Sequence, residues 1–304
     1  MNVLATGLRY ADLDFQGVPS VIATAILDSP DGVALVDPGP TSCLETLRAR
    51  LAHQGIGVED LRALLLTHIH LDHAGATGSL VRQNPRITVY VHERGAPHLV
   101  DPRRLLESAS RLYGEQMDAL WGPLLPVPAA NVRAIAGGER IEAGGRSFEV
   151  AYTPGHASHH VSYFDAVSRI AFVGDTAGVR IGASPFVIPP TPPPDIDVDA
   201  WIESARRILA WQPETLFLTH FGPSAPPAPH LEELLERLRR AAAIARSALE
   251  TGGDETGQTA RFVREMRMEM RRHMSGAEVR SAELAVPLDH CYLGLSRYWR
   301  KRAA

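Results

Sequence analysis

The chain has 304 residues, of which 45% are hydrophobic and 22% charged, with a net charge of −4 when histidine is neutral. This suffices for one large domain with a full core, or one domain with an appendage. A nucleic-acid binder normally carries a basic excess, which is lacking here, and no stretch reaches the roughly 18 apolar residues of a membrane span. Cys43 and Cys291 stand far apart and match no metal spacing, which suits either one disulfide or two thiols in a reducing compartment. The first ten residues do not combine a basic segment with a long apolar run, so no signal peptide is expected, and the cytoplasm is the expected location.

In chain order, Val18 to Leu27 and Val33 to Val36 flank the turn Ser29-Pro30-Asp31-Gly32 and predict a β-hairpin. Thr41 or Ser42 is placed to cap a helix to about Gln54, with Leu44, Leu47 and Leu51 at helical spacing. Leu61 to Leu66 reads as a buried strand, and Ile87 to Val91 as another. Residues 94–121 read as mainly helical and 122–130 as a proline-rich loop. Ile141 to Gly145 and Phe148 to Tyr152 meet at a Gly-Gly turn; Val161 to Phe164 and Ile170 to Val173 predict a further hairpin. Prolines keep 182–197 irregular. A helix from Asp199 to Trp211 and a strand from Leu216 to Thr219 follow. Beyond Pro229 the chain turns helical, over 230–250, 257–274 and from about 276 onward. The expected organisation is therefore a catalytic unit over 1–229 and a helical extension over 230–304.

Thirteen histidines stand out by their positions. Thr67-His68-Ile69-His70-Leu71-Asp72-His73 follows the buried strand 61–66 directly. His156, Asp175 and His220 each follow a predicted strand as well. Strand ends on one edge can converge on a cleft, the usual setting of a functional site. Imidazole and carboxylate suit zinc-like borderline metals. In an extended segment His68 and His70 project to one side and can share a metal, while Asp72 and His73 point elsewhere and can serve a second. Asp175, with two oxygens, is the natural bridge. Four such groups within six residues would be costly to bury without partners.

This ordered set resembles the metallo-β-lactamase superfamily, most closely its glyoxalase II-like hydrolase branch, over roughly residues 18–225. The resemblance implies an α/β fold, a four-layer αββα sandwich with the site at one edge between the sheets, here with a C-terminal helical appendage. It implies one metal on His68, His70 and His156, a second on Asp72, His73 and His220, and Asp175 bridging. Asp37, in Val36-Asp37-Pro38-Gly39, matches an aspartate that orients the ligand loop, and such outer partners fix ligand geometry. The expected cofactors are two divalent ions about 3.5–4 Å apart, zinc first, with iron or manganese as alternatives. A hydroxide held between them is the expected nucleophile, and Asp72 the candidate for orienting it and relaying its proton.

His159 and His160 stand near the constellation; His159 is the candidate for supporting a ligand, and exposed loop positions are the alternative. His53, His92, His98, His230, His273 and His290 show no partner pattern and read as surface residues. The 185–194 segment is expected either as a linker or as a cleft wall, lined then by Phe186, Val187 and Ile188. Tyr292, Tyr298 and Trp299 read as packing residues. The helices after 230 are expected to cover the site or form a homodimer interface.

The expected substrate is a small molecule with an ester, thioester or related acyl bond; neither nucleic acid nor membrane is an expected partner. Glutathione-binding residues of the glyoxalase II type find no match in the C-terminal helices. Lactonases that open acyl-homoserine lactones usually carry tyrosine where this chain has Gly178. Arg180 matches persulfide dioxygenases, which use one iron, but its surroundings do not. Phosphodiesterase activity and a degenerate, non-catalytic metal module are the remaining alternatives. Structural zinc sites usually close with four ligands, often cysteine, whereas this set has seven and none.

Overall fold

The computed structural model describes residues 2–182 and 184–303. Its first sheet has seven strands in sequential order: β1 (Asn2–Ala5), β2 (Leu8–Asp12), β3 (Ala23–Ser29), β4 (Gly32–Val36), β5 (Leu61–Leu65), β6 (Thr88–His92) and β7 (Val132–Ile135). Pairing is antiparallel up to β4 and parallel from β4 to β7. Parallel neighbours need long crossovers. These are helices: α1 (Leu44–Ala52), then α2 (Leu71–Ala74) and α3 (Thr77–Gln83), then α4 (Ala96–Val100), α5 (Arg103–Tyr113) and α6 (Met117–Trp121).

The second sheet runs from β8 (Arg140–Ala143) through β9 (Arg146–Tyr152), β10 (Val161–Asp165), β11 (Ile170–Phe172) and β12 (Thr215–Leu218) to β13 (Gly222–Ser224). Gly144 and Gly145 both take positive φ, 54° and 66°, in the β8–β9 turn. That conformation suits glycine and matches strand twist in tight hairpins. Helix α7 (Val198–Ala210) carries the parallel crossover from β11 to β12.

Alternation along the strands divides the core. Ala25, Leu27, Ala34, Val36 and Leu65 meet Phe148, Val161, Tyr163, Phe172 and Phe217 between the sheets. Ile26, Leu35 and Leu64 face outward and pack under the helices of the first half. Phe164, Ala171, Leu216 and Leu218 pack outward against α7 residues Ala205 and Ile208. This gives the four-layer αββα sandwich.

The remaining helices are α8 (Pro227–Glu250), α9 (Glu255–Met270), α10 (Gly276–Ala285) and α11 (Leu288–Ala303). They share a core with Trp201 and Phe186, through Leu238, Phe262, Tyr292 and Leu295. Tyr298 belongs to that core and Trp299 packs against it, as expected of packing residues. The helix expected from 276 is split at Val286-Pro287, since proline lacks the N–H a continuous helix needs. Cys43 and Cys291 are buried free thiols, which settles the cysteine alternatives against a disulfide.

Two expectations need correction, and one hairpin was not expected. The β1–β2 hairpin escaped notice because its strands are only four and five residues long and β1, at the sheet edge, buries no side chain fully. Strand β3 begins at Ala23 rather than Val18, because Gln16 and Ser20 take positive φ just before it. Neither Thr41 nor Ser42 caps α1: their hydroxyls donate instead to the Gly75 carbonyl at 2.8 Å and the Leu120 carbonyl at 2.6 Å.

Candidate metal centre

Strand ends deliver the candidate residues. β5 runs into Thr67 to His70, and α2 carries Asp72 and His73. His156 follows β9, Asp175 lies in the turn after β11, and His220 follows β12. Asp37 follows β4 and is fully buried. Its Oδ1 accepts the Thr67 backbone N–H at 2.8 Å. Its Oδ2 accepts the Thr67 hydroxyl at 2.7 Å, His73 Nδ1 at 2.9 Å and the Thr219 hydroxyl at 2.6 Å. One carboxylate thus ties the ends of β4, β5 and β12 together, across both sheets.

The seven residues converge. His68, His70 and His156 form one group able to hold a metal ion, and Asp72, His73 and His220 another; His68, His73 and Asp175 link them. Nδ1 of His70 lies 3.0 Å from His68 Nε2 and 2.9 Å from His156 Nε2. His220 Nε2 is 3.2 Å from Asp72 Oδ2. Asp175 stands between the groups, with Oδ2 3.3 Å from His156 Nε2 and Oδ1 3.2 Å from His73 Nε2.

The outer nitrogens fix the tautomers. Nδ1 of His156 donates to the Pro190 carbonyl at 2.9 Å, and Nδ1 of His220 to the Val21 carbonyl at 2.7 Å. Nδ1 of His73 donates to Asp37. Each Nε2 can then offer a lone pair inward, the arrangement that outer partners impose on metal-binding histidines. His73 Nε2 and Asp175 Oδ1 are buried with no hydrogen bond, despite lying 3.2 Å apart. Such orphaned groups are expensive unless something polar completes them. A cation does so, and the donor set fits a divalent borderline metal.

Charge divides the site in two. Burial, then the cationic forms of its neighbours, hold His68 well below the ordinary histidine range, and burial with His156 takes His70 down to about 4. His73 goes the other way: burial opposes protonation, but Asp175, Asp72 and Asp37 outweigh it and hold the ring well above 6.5. His220 is raised by Asp175 and Asp72, again against burial. Burial would raise Asp72, yet His73 and His220 bring it to about 2.

Beside these groups lies a cavity of about 300 Å³. His70, Asp72, His156 and Asp175 line it, with α5 and the α10–α11 junction. The proline segment also contributes a wall, but through Pro190 and Pro192 to Pro194. Phe186 and Ile188 are buried instead in the core of the C-terminal helices, and Val187 against α7 and α8.

The other histidines are corrected in part. His159 is half-buried on the cavity wall, its ring stacked toward His68 at 6.1 Å. His160 is fully buried, not an exposed loop residue: its Nδ1 meets the Thr153 and Thr176 hydroxyls at 2.9 and 3.1 Å. His92 is buried against Tyr152, and His230 between Ser224 and the Ala177 carbonyl. His98 and His290 line the cavity. Only His53 and His273 of that set are exposed. His160, His230 and His92 are buried through hydrogen bonds and ring contacts to Thr153, Thr176, Ser224, Ala177 and Tyr152, none of them a metal-ligand type, so a search for ligand spacing carried no sign of them.

A two-sheet sandwich flanked by helices, with imidazoles and carboxylates gathered at strand ends, defines the class of metal-dependent hydrolases. Residues 17–220 match the family model of the metallo-beta-lactamase superfamily, and the chain belongs to that superfamily, in its glyoxalase II-like branch. It is 30% identical over 185 residues to the metallo-beta-lactamase fold-containing protein ST1585 of Sulfurisphaera tokodaii, covering 59% of this chain and 69% of that one. It is 31% identical over 150 residues to the hydroxyacylglutathione hydrolase GloC of Haemophilus influenzae, covering 49% and 63%. It spans about half the length, 47%, of the hydroxyacylglutathione hydrolase of a Synechococcus species. Among solved structures, the metallo-beta-lactamase family protein TTHA1429 of Thermus thermophilus superposes with a TM-score of 0.72 at 20% identity. That likeness covers 99% of this chain and 96% of the other, so the shared fold includes the C-terminal helices. No helix among the described residues is long and apolar enough to cross a membrane.

Proposed function

We propose that the chain hydrolyses an ester, thioester or related acyl bond of a small molecule, using two divalent ions, zinc first. His68, His70 and His156 would hold one ion, Asp72, His73 and His220 the other, with Asp175 shared. The observation that carries this reading is the position of Asp175, whose two oxygens face one histidine from each group at 3.3 and 3.2 Å. The similarity to proteins named hydroxyacylglutathione hydrolase supports an acyl bond, and the small, largely apolar cavity supports a small substrate. When bound, divalent ions of this kind make water acidic enough to attack near neutral pH and polarise the bond under attack.

The chain's own groups supply the rest. Asp72 is the more open carboxylate, its side chain 17% exposed against 5% for Asp175. It is therefore the group that meets an entering substrate, orients the attacking water and takes up its proton. Asp37 holds His73 and Thr67 from behind, so the inner face does not reorganise during the reaction. Pro190 fixes the His156 ring through its carbonyl.

The test is metal analysis of protein purified without chelator, followed by thioester, lactone, phosphodiester and persulfide substrates. Two ions per chain and thioester or ester cleavage are expected, both lost in Asp175→Ala. A single iron with persulfide consumption would replace this reading with a dioxygenase. Full turnover by Asp175→Ala would remove the shared role.

A further inference from the structure

The histidines of the candidate centre take their outer partners from different places. His73 donates to Asp37, just after β4, and His220 to the Val21 carbonyl, just before β3. Both partners flank strands of the first sheet. His156 donates instead to the Pro190 carbonyl at 2.9 Å, in the proline segment.

That segment has two backbone anchors. Ile188 and Val179 exchange two bonds of 2.9 Å, and the Asp197 N–H donates to the Gly155 carbonyl at 2.9 Å. Between them Pro189, Pro190, Pro192, Pro193 and Pro194 have no N–H to give a strand, so packing has to place them. The C-terminal helices supply it. Phe186 carries the Arg237 guanidinium over its ring at 4.1 Å and stacks with His273 at 5.1 Å. Thr191 is fully buried, and its hydroxyl donates to the Cys291 carbonyl of α11 at 3.3 Å. Gly294, buried in the same helix, meets this stretch backbone to backbone. A Cβ there would run into the Thr191 carbonyl oxygen and stand 2.8 and 3.0 Å from the carbon and oxygen of the Pro192 carbonyl. Gly294 has no positive φ to explain it, and glycine within a helix costs stability relative to alanine. Close approach is what accounts for it. Farther along, Asp195 accepts the Ser158 hydroxyl, which ties the segment to the loop that carries His156.

We propose that Gly294 is a positioning residue for the candidate centre. Its missing side chain seats α11 on Thr191 and Pro192, and that seat sets the Pro190 carbonyl and hence the His156 ring. A fixed outer partner keeps Nδ1 as the donor and leaves Nε2 free to ligate. The inference rests on reading His156 as a ligand of one ion, with His68 and His70. It gives the C-terminal helices a part in building that ion's site. Because the path leads to His156, the effect belongs to one ion and not to the pair.

The test is Gly294→Ala, with Gly276→Ala as control. A Cβ at Gly276, in α10, meets nothing nearer than the Arg280 guanidinium at 3.7 Å. Zinc competition against a chromophoric chelator resolves the two affinities. Proton NMR follows the hydrogen-bonded Nδ1–H of His156, assigned through its loss in His156→Gln. In Gly294→Ala one ion is expected to bind about 10- to 100-fold more weakly, as loss of an outer partner does. The other affinity should hold, the Nδ1–H resonance should shift, and Gly276→Ala should change none of these. Wild-type affinities and an unmoved resonance in Gly294→Ala would overturn the proposal. So would equal weakening of both ions with a lower urea midpoint, which is general loosening. Should Gly294→Ala fail to fold, Thr191→Val decides: it keeps the shape, removes the tie to Cys291, and should weaken the same ion about threefold. No change there would refute the seat. If His156→Gln binds zinc as wild type does, the ligand reading falls, and the resonance alone decides. Its shift in Gly294→Ala then supports the seat, and its constancy refutes it.

Discussion

Asp37→Asn tests whether the centre depends on the carboxylate behind it. The side chain is fully buried and accepts four hydrogen bonds, from Thr67 N–H, Thr67 Oγ1, His73 Nδ1 and Thr219 Oγ1, at 2.6 to 2.9 Å. An amide of the same shape cannot accept them all. With its oxygen toward His73, its NH₂ faces the Thr67 N–H, and that orphaned donor costs about 1–3 kcal/mol. With its NH₂ toward His73, the ring must turn a lone pair outward, so Nε2 carries the hydrogen and no longer offers electrons to a cation. Either outcome also removes a negative charge that keeps His73 basic. Loss of such an outer partner typically weakens metal affinity about 10- to 100-fold. Zinc affinity by competition with a chromophoric chelator, with a urea unfolding midpoint on the same samples, measures both effects. Wild-type affinity together with wild-type stability would refute the reasoning.

Gly174 takes φ 44°, and a Cβ there would run into Thr67 Oγ1 and stand 2.8 Å from His160 Nε2; Gly174→Ala is expected to cost about 2 kcal/mol in urea unfolding, and no cost would mean this turn is not held as described. His230 is brought from 6.5 to about 4, first by burial, so the unfolded chain binds a proton the folded one refuses between those values. Its contribution is complete above pH 6.5 and is lost as pH falls toward 4, up to about 3 kcal/mol. His230→Gln should unfold with a shallower pH slope in that window, and an unchanged slope would refute the assignment. Without a cation, Asp175 and Asp72 favour the protonated forms of His73 and His220 against burial, so zinc uptake should be accompanied by proton release. Titration heats that do not vary with buffer ionisation enthalpy would show that none is released.

The candidate site was far more legible than its surroundings, for a physical reason. His68, His70, Asp72 and His73 follow an apolar strand at once, and polar groups in such a place need partners that spacing alone can suggest. Asp37 was legible as well, through Val36-Asp37-Pro38-Gly39 at the end of a strand. His160, by contrast, owes its burial to Thr153 and Thr176, and His230 to Ser224 and Ala177, pairings that no local pattern announces. The pocket wall was least legible of all. Tyr113 meets Trp121 across the adjacent α5 and α6 and meets His290 from the distant α11, and each looks ordinary in its own helix. Phe186 illustrates the converse: an apolar residue in the proline segment suggested a cavity lining, while the C-terminal helices offered it a core.

This difference follows from how the two regions are built. The candidate centre sits on strand ends tied through Asp37, so the sheets themselves set where its groups stand. The pocket wall sits on helices from two distant parts of the chain, and only side-chain packing fixes their relation. A substitution at Trp121 or His290 can therefore reshape what enters without moving the groups that hold a cation, whereas a substitution at Asp37 or Gly174 disturbs that centre at once. Rigid scaffolds with variable walls allow one chemistry to serve many substrates. In this chain the candidate metal ligands stand at strand ends and turns spread from His68 to His220, and much of the cavity wall stands on helices that the strands do not dictate.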